Sequence, residues 1–177
     1  MTQDRNSAPP TVTPLEAYSP AEIFADTPDP FGVAEWGMVW RPKEHHFGIR
    51  EAQPDGRLLA HAGLVVLPLS AGGRRMDVVG VGGVAVASDQ RGRGLAREVV
   101  NGALDHARVL GPEFAILFCR PDVSGLYARL GWQFVEAAVE VEQPAGPAVM
   151  PLRTMWFPLV DGARWPEGAV RLHSIPM

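Results

Sequence analysis

Apolar positions in this chain fall into short runs separated by glycine- and proline-rich breaks, with one clear helical repeat among them. The repeat is Leu95, Val99, Val100, Ala103, Leu104 and Ala107, spaced as one buried face of a helix requires, and Gly111-Pro112 stops it. Upstream, Glu44–Ala52 and Leu58–Leu69 predict two strands around the turn Gln53-Pro-Asp-Gly56. Ser70–Arg75 predicts a second turn with a solvated Arg74-Arg75 tip. Val78–Ala87, dense in valine and glycine, predicts a buried strand that lets another backbone approach closely. Further on, Phe114–Cys119 is short enough for an interior strand, and Asp122 is placed to cap a helix carrying Leu126, Tyr127 and Leu130 as far as Gly131. Trp132–Val141 and Thr154–Val160 predict the last strands, with the connection Glu142–Arg153 crossing the surface.

The ends are less patterned. Met1–Pro10 has no apolar periodicity and reads as a loose tail, since it cannot bury enough surface to offset its ordering entropy. Thr11–Leu15 predicts a short edge strand, and Ser19-Pro20-Ala21-Glu22 opens a short helix through Ala25. Phe31–Trp40 is apolar enough for a second helix or a loop packed on the core, and residues 161–177 read as an irregular C-terminal tail. The expectation is a single α/β domain over residues 11–160. Its twisted, mainly antiparallel sheet has six or seven strands, with helices on both faces.

Composition narrows the functional classes. A formal charge of −4 and a pI near 5.7 argue against a general nucleic-acid binder. Cys119 is the single cysteine, so no internal disulfide can form, a structural zinc site is not expected, and the thiol reads as a small buried hydrophobe. No apolar stretch reaches the roughly 20 residues that span a bilayer, and a cytoplasmic protein without a membrane partner is expected.

The most specific chemistry follows the valine-glycine strand. Arg91, Gly92, Arg93 and Gly94 lead into Leu95 and Ala96, placing guanidinium groups and bare backbone N–H groups at a helix start, where an anion such as a pyrophosphate is favoured. The same residues resemble the GNAT-type N-acetyltransferase family, whose signature Q/R-x-x-G-x-G/A is met by Arg91-x-x-Gly94-x-Ala96, with Gly125-Leu-Tyr127-Ala-Arg-Leu-Gly-Trp132 at the family's distance. A partial likeness to aminoglycoside 2′-N-acetyltransferases is carried by Leu59-Ala-His-Ala62, Gly82-Gly-Val-Ala-Val86 and Leu126-Tyr127-Ala128. The strand position where those enzymes typically hold a glutamate is Gly82 here.

The resemblance implies a three-layer αβα fold whose sheet splays after Val81–Ala87. It also implies acetyl-CoA as co-substrate, aligned along Val84, Ala85 and Val86 and bound by its pyrophosphate across Arg91–Ala96, without a metal. Tyr127 would assist departure of the coenzyme thiolate, and the acceptor would be a primary amine of a small molecule. Alternatives are an aminoglycoside-modifying enzyme, a protein N-terminal or lysine acetyltransferase, and an acyl-CoA-binding module without turnover.

The general base is not legible. Asp77 is the sole acid on the strand before the turn, His61 reads as a packed core histidine, and His45 and His46 read as the surface start of a strand. Glu22, Asp26, Asp29 and Glu35 could hold a cationic acceptor or solvate a loop, and Trp36 and Trp40 read as core. Leu152–Val160 reads as a final strand that could also serve a homodimer.

Overall fold

The alternation of side chains along one long strand organises the molecule, as a computed structural model describing residues 10–25, 27–52 and 55–177 shows. The expected tail up to residue 9, Asp26, and Gln53 and Pro54 of the expected turn lie outside the described residues. In chain order the regular elements begin with β1 (Thr13–Leu15), α1 (Ala21–Phe24), β2 (His45–Arg50), β3 (Leu58–Ala71) and β4 (Arg74–Val86). They continue with α2 (Leu95–Ala107), β5 (Phe114–Cys119), α3 (Ser124–Arg129), β6 (Gln133–Phe134) and β7 (Val139–Val141). The last are β8 (Ala148–Val149), β9 (Arg153–Pro158) and β10 (Val170–Leu172).

The sheet has ten strands, more than the six or seven expected, in the order β6-β9-β5-β4-β3-β10-β7-β8, with β2 beside β3 and β1 beside β2. It is mainly antiparallel as expected; β4–β5 and β7–β10 are the parallel pairs. The central hairpin is tighter and longer than the sequence indicated: β3 and β4 pair as far as Ala71↔Arg74 around Gly72-Gly73.

On β3, Ala60, Ala62 and Leu64 face one way and join Val79 and Val81 of β4 beneath Val99, Val100, Ala103, Leu104 and Ala107 of α2. Val65, Leu67 and Leu69 face the other way and join Val78, Phe114, Ile116 and Trp156. Each such large side chain contributes roughly 1.5–3 kcal/mol by leaving water.

Helices α2 and α3 both serve the first face. The opposite face is roofed by Trp36, Met38 and Trp40 from a loop and by Trp165 and Met177 from the C-terminal segment. Of the two readings of Phe31–Trp40, the structure has the loop packed on the core; its one helical piece is a 3-10 turn, Ala34–Trp36, fastened by Asp29, whose carboxylate accepts from Val33 N–H at 3.0 Å and Ala34 N–H at 2.9 Å. Asp122 does not cap α3; it accepts from Arg120 at 2.9 Å, and a 3-10 turn Pro121–Val123 leads in. Trp132–Val141 is not one strand: β6 pairs with β9, whereas β7 crosses to the far side and pairs with β8 and β10. Residues 161–177 are likewise not an irregular tail, because β10 is threaded between β3 and β7. Strand β9 lies between β5 and the short β6, which pairs with Met155 and Trp156.

Candidate active site

The sheet opens where β4 stops pairing with β5. These strands are joined at Val79↔Ala115 and Gly80↔Ile116 alone. The cause is local: pairing with β3 steps from Gly63↔Gly82 to His61↔Ala85, which puts one extra residue into β4. Gly83 sits in that bulge with φ +61°, a conformation that glycine adopts without strain. A bulge twists its strand, so Val81–Val86 leaves β5 and presents an unpaired backbone edge there. Val84, Ala85 and Val86 lie along this stretch, beside the opening of the splay.

Immediately beyond, a 3-10 turn (Ser88–Gln90) passes through extended Arg91 to Gly92 (φ +76°) and Gly94 (φ +79°), the latter heading α2. No side chain caps α2, and the space where a Cβ would stand on Gly92 or Gly94 is empty to 4 Å. The first N–H groups of a 13-residue helix therefore face an open, exposed turn flanked by Arg91 and Arg93. Leu95 turns inward to the core and is 8% exposed, so within Arg91–Ala96 it offers backbone alone. Arg57 grips Asp89 through both guanidinium nitrogens, at 2.7 and 3.1 Å, and holds that carboxyl well below the usual range; Arg93 donates to Gln90 at 3.1 Å. The turn is thus tied to the start of β3.

Tyr127 on α3 is buried, edge-on to Trp132 at 6.1 Å. Burial, aided by the neighbouring Cys119 thiol, raises its hydroxyl pKa, so it stays protonated at neutral pH. Burial likewise pushes the Cys119 thiol up to about 11, consistent with an inert packing residue.

A second group gathers on the sheet face beside the bulge. His61 is 1% exposed, yet it is not merely packed: its Nδ1 donates to the Gly83 carbonyl at 2.7 Å and its Nε2 lies 2.9 Å from His46 Nδ1. Tyr18 stacks on the His61 ring at 3.4 Å with 6° between planes. His46, expected at the surface, is therefore turned onto the sheet. Lys43 lies across two strand glycines. A Cβ on Gly63 would meet its Cγ at 2.6 Å, and one on Gly82 would meet its Cε at 2.6 Å and Nζ at 3.2 Å. Burial lowers this ammonium to about 8.

Comparison with known proteins agrees with this geometry: the sequence profile of the acetyltransferase (GNAT) domain matches residues 21–135. The chain belongs to the GNAT acetyltransferase family. A curated relative, glucosamine 6-phosphate N-acetyltransferase 1 of Oryza sativa subsp. japonica, is 37% identical over 98 residues, or 55% of this chain; the match spans 58% of the rice protein's length. Among solved structures, a GNAT family N-acetyltransferase from Escherichia coli in complex with CoA aligns with a TM-score of 0.53 at 22% identity, over 80% of this chain and 71% of that one. A GNAT family acetyltransferase from Brucella melitensis in complex with acetyl-CoA aligns at 0.52 and 16%, over 93% and 97%. Both structures share the fold.

Within this GNAT domain, two of the acids considered for the acceptor side are engaged in the structure. Glu22 accepts from Arg50 at 3.2 Å, Asp29 caps its turn, and Glu35 is exposed. Asp77 is six residues before Gly83 on β4 and helps line a depression of about 350 Å³ with Arg74, Leu110 and Glu113, near the hairpin end. Among the described residues no cluster of His, Cys, Asp or Glu could hold a metal, and no helix is long and apolar enough to cross a membrane. Sequence reasoning missed Tyr18 and Lys43. The available signal was Gly63 and Gly82 on adjacent strands, which leave a side-chain-sized trough.

Proposed function

We propose that this protein is an acetyl-CoA-dependent N-acetyltransferase that moves the acetyl group directly to a primary amine of a small molecule. The observation that carries the reading is the bulged, splayed end of β4 running straight into a glycine-arginine turn at a helix start. The open space over Gly92 and Gly94 fits a pyrophosphate approaching main-chain N–H groups. The unpaired edge of Val84–Val86 fits a pantetheine arm, whose amides can add to a sheet as a strand would. When bound, the co-substrate supplies an activated acetyl thioester with a thiol leaving group.

The chain's own residues do the rest. The turn and strand edge hold and orient the co-substrate so that attack becomes effectively unimolecular. Tyr127, kept protonated by burial, donates toward the departing sulfur. The ammonium of Lys43 over Gly82 disfavours a polycationic acceptor such as an aminoglycoside, since like charge would stand where a carboxylate would be needed.

Thiol release from acetyl-CoA, followed against an amine library with mass spectrometry of the products, tests the proposal. Amine-dependent thiol release with acetylated amine is expected. Coenzyme binding without release for any amine would favour the non-catalytic module instead.

A further inference from the structure

We propose that the hydrogen-bonded chain from His46 through His61 to the Gly83 carbonyl takes the proton from the acceptor amine, with His46 Nε2 as the receiving atom. This rests on the acetyltransferase reading above and assigns the base that reading lacks. The argument begins at the carbonyl. Gly83 O can only accept, so His61 Nδ1 carries a hydrogen and donates to it across 2.7 Å. A neutral His61 then has its lone pair on Nε2, 2.9 Å from His46 Nδ1, and His46 must donate there. That leaves the lone pair of a neutral His46 on Nε2. The tautomer of His61 is set by one backbone oxygen, and that oxygen belongs to the bulge that opens the splay.

The surroundings fit the role. Tyr18 stacked flat on His61 and the neighbouring strands leave the ring no freedom to turn. Partial burial lowers the pKa of His46, and the charges of Lys43 and His45 add to this, so the ring is neutral near pH 7; the Lys43 backbone carbonyl acts oppositely and favours the protonated ring once it forms. His61 is pushed down to about 4 by burial, which keeps it an acceptor toward His46. Glu22 faces His61 and Tyr18 but is paired with Arg50, and burial with the Glu22 charge pushes the Tyr18 hydroxyl up to about 12, so neither competes for the proton.

The step balances. An acceptor ammonium loses one proton to His46 Nε2, which frees its lone pair. Nitrogen bonds to the thioester carbonyl carbon as the C–S bond breaks; Tyr127 gives its hydroxyl proton to the departing thiolate and is restored by the second proton from nitrogen. His46 returns its proton to solvent. His61 is a positioning residue.

The experiment measures kcat/KM by thiol release across pH for the full chain and its variants, with thermal melting and coenzyme Kd as controls for folding. His46→Gln is expected to lose about 100-fold at pH 7, within the usual range for a positioned base. Coenzyme Kd should stay unchanged, and the loss should shrink as pH approaches the acceptor's own pKa or when a weakly basic amine replaces it. His61→Gln, which can still accept from His46 and donate to Gly83, should keep most activity. His61→Phe should displace the acid limb of the profile. Lys43→Met removes a cation beside His46, so the limb should move to higher pH. A folded His46→Gln enzyme with the wild-type pH profile overturns the relay while leaving the transferase reading intact. A wild type that binds coenzyme yet releases no thiol with any amine overturns the transferase reading, and the relay with it.

Discussion

The turn-and-splay end of β4 and the histidine face beside it are neighbours built in opposite ways. The first is drawn from one continuous stretch, Val81–Ala96, and presents mostly backbone: a strand edge and the start of α2. The second gathers Tyr18, Lys43, His46 and His61 from separate segments and presents side chains whose roles depend on one another's protonation. Backbone recognition is set by local conformation, so it tolerates change in the rest of the chain. Side-chain recognition is set by packing and is free to diverge, which suits a fold that serves many acceptors.

The largest expected effect probes how far the histidine face depends on the C-terminal segment. Leu172 is fully buried on β10, and Leu172→Ala should lower unfolding free energy by about 3 kcal/mol in urea titration, as cavities of this size do. Hydrogen exchange should then rise in β7 and β10 more than in α2. Next comes acid. His61 is held near 4 in the folded state against an ordinary value of 6.5, so the unfolded chain binds its proton more readily. Its contribution is complete above about pH 6.5 and is lost as pH falls toward 4, roughly 3 kcal/mol in all. His61→Gln should flatten that slope in melts compared across pH, and an unchanged slope would mean the ring is not buried neutral.

Tyr127→Phe should reduce kcat about 100-fold while coenzyme affinity holds, by the size of a positioned proton donor. Equal turnover would refute the tyrosine's role. The smallest effect belongs to the exposed turn: Arg91→Ala with Arg93→Ala should weaken coenzyme binding by about 1.5–3 kcal/mol in calorimetry and leave the acceptor KM unchanged. A change in acceptor KM would show that the two regions are not separable.

The same contrast explains what could be read in advance. The α2 repeat, the β5 run and the Arg91–Ala96 turn are short-range patterns, and each stands where the sequence placed it. The bulge at Gly83 was foreshadowed by Gly82-Gly83 but not locatable, because a register step needs a partner strand to be counted against. His46 was read as the surface start of its strand. What turns it inward is a bond to a residue fifteen positions away. The segment 161–177 lacked periodicity because β10 is three residues long, too short to display any. Asp122 followed a good capping pattern, but Arg120 and the Pro121–Val123 turn claimed it first.

Strand β10 also bears on the order of folding. Its register sets Val170 against Ala71, about a hundred residues away, and against Val139, about thirty away, so this part of the sheet cannot zip before residues 170–172 are in place. Until then Leu69, Ser70 and Ala71 at the outer end of β3 keep one backbone edge unpaired, the kind of edge that attracts other strands. The hairpin end of β3 is therefore most open to unwanted strand pairing whenever β10 is undocked.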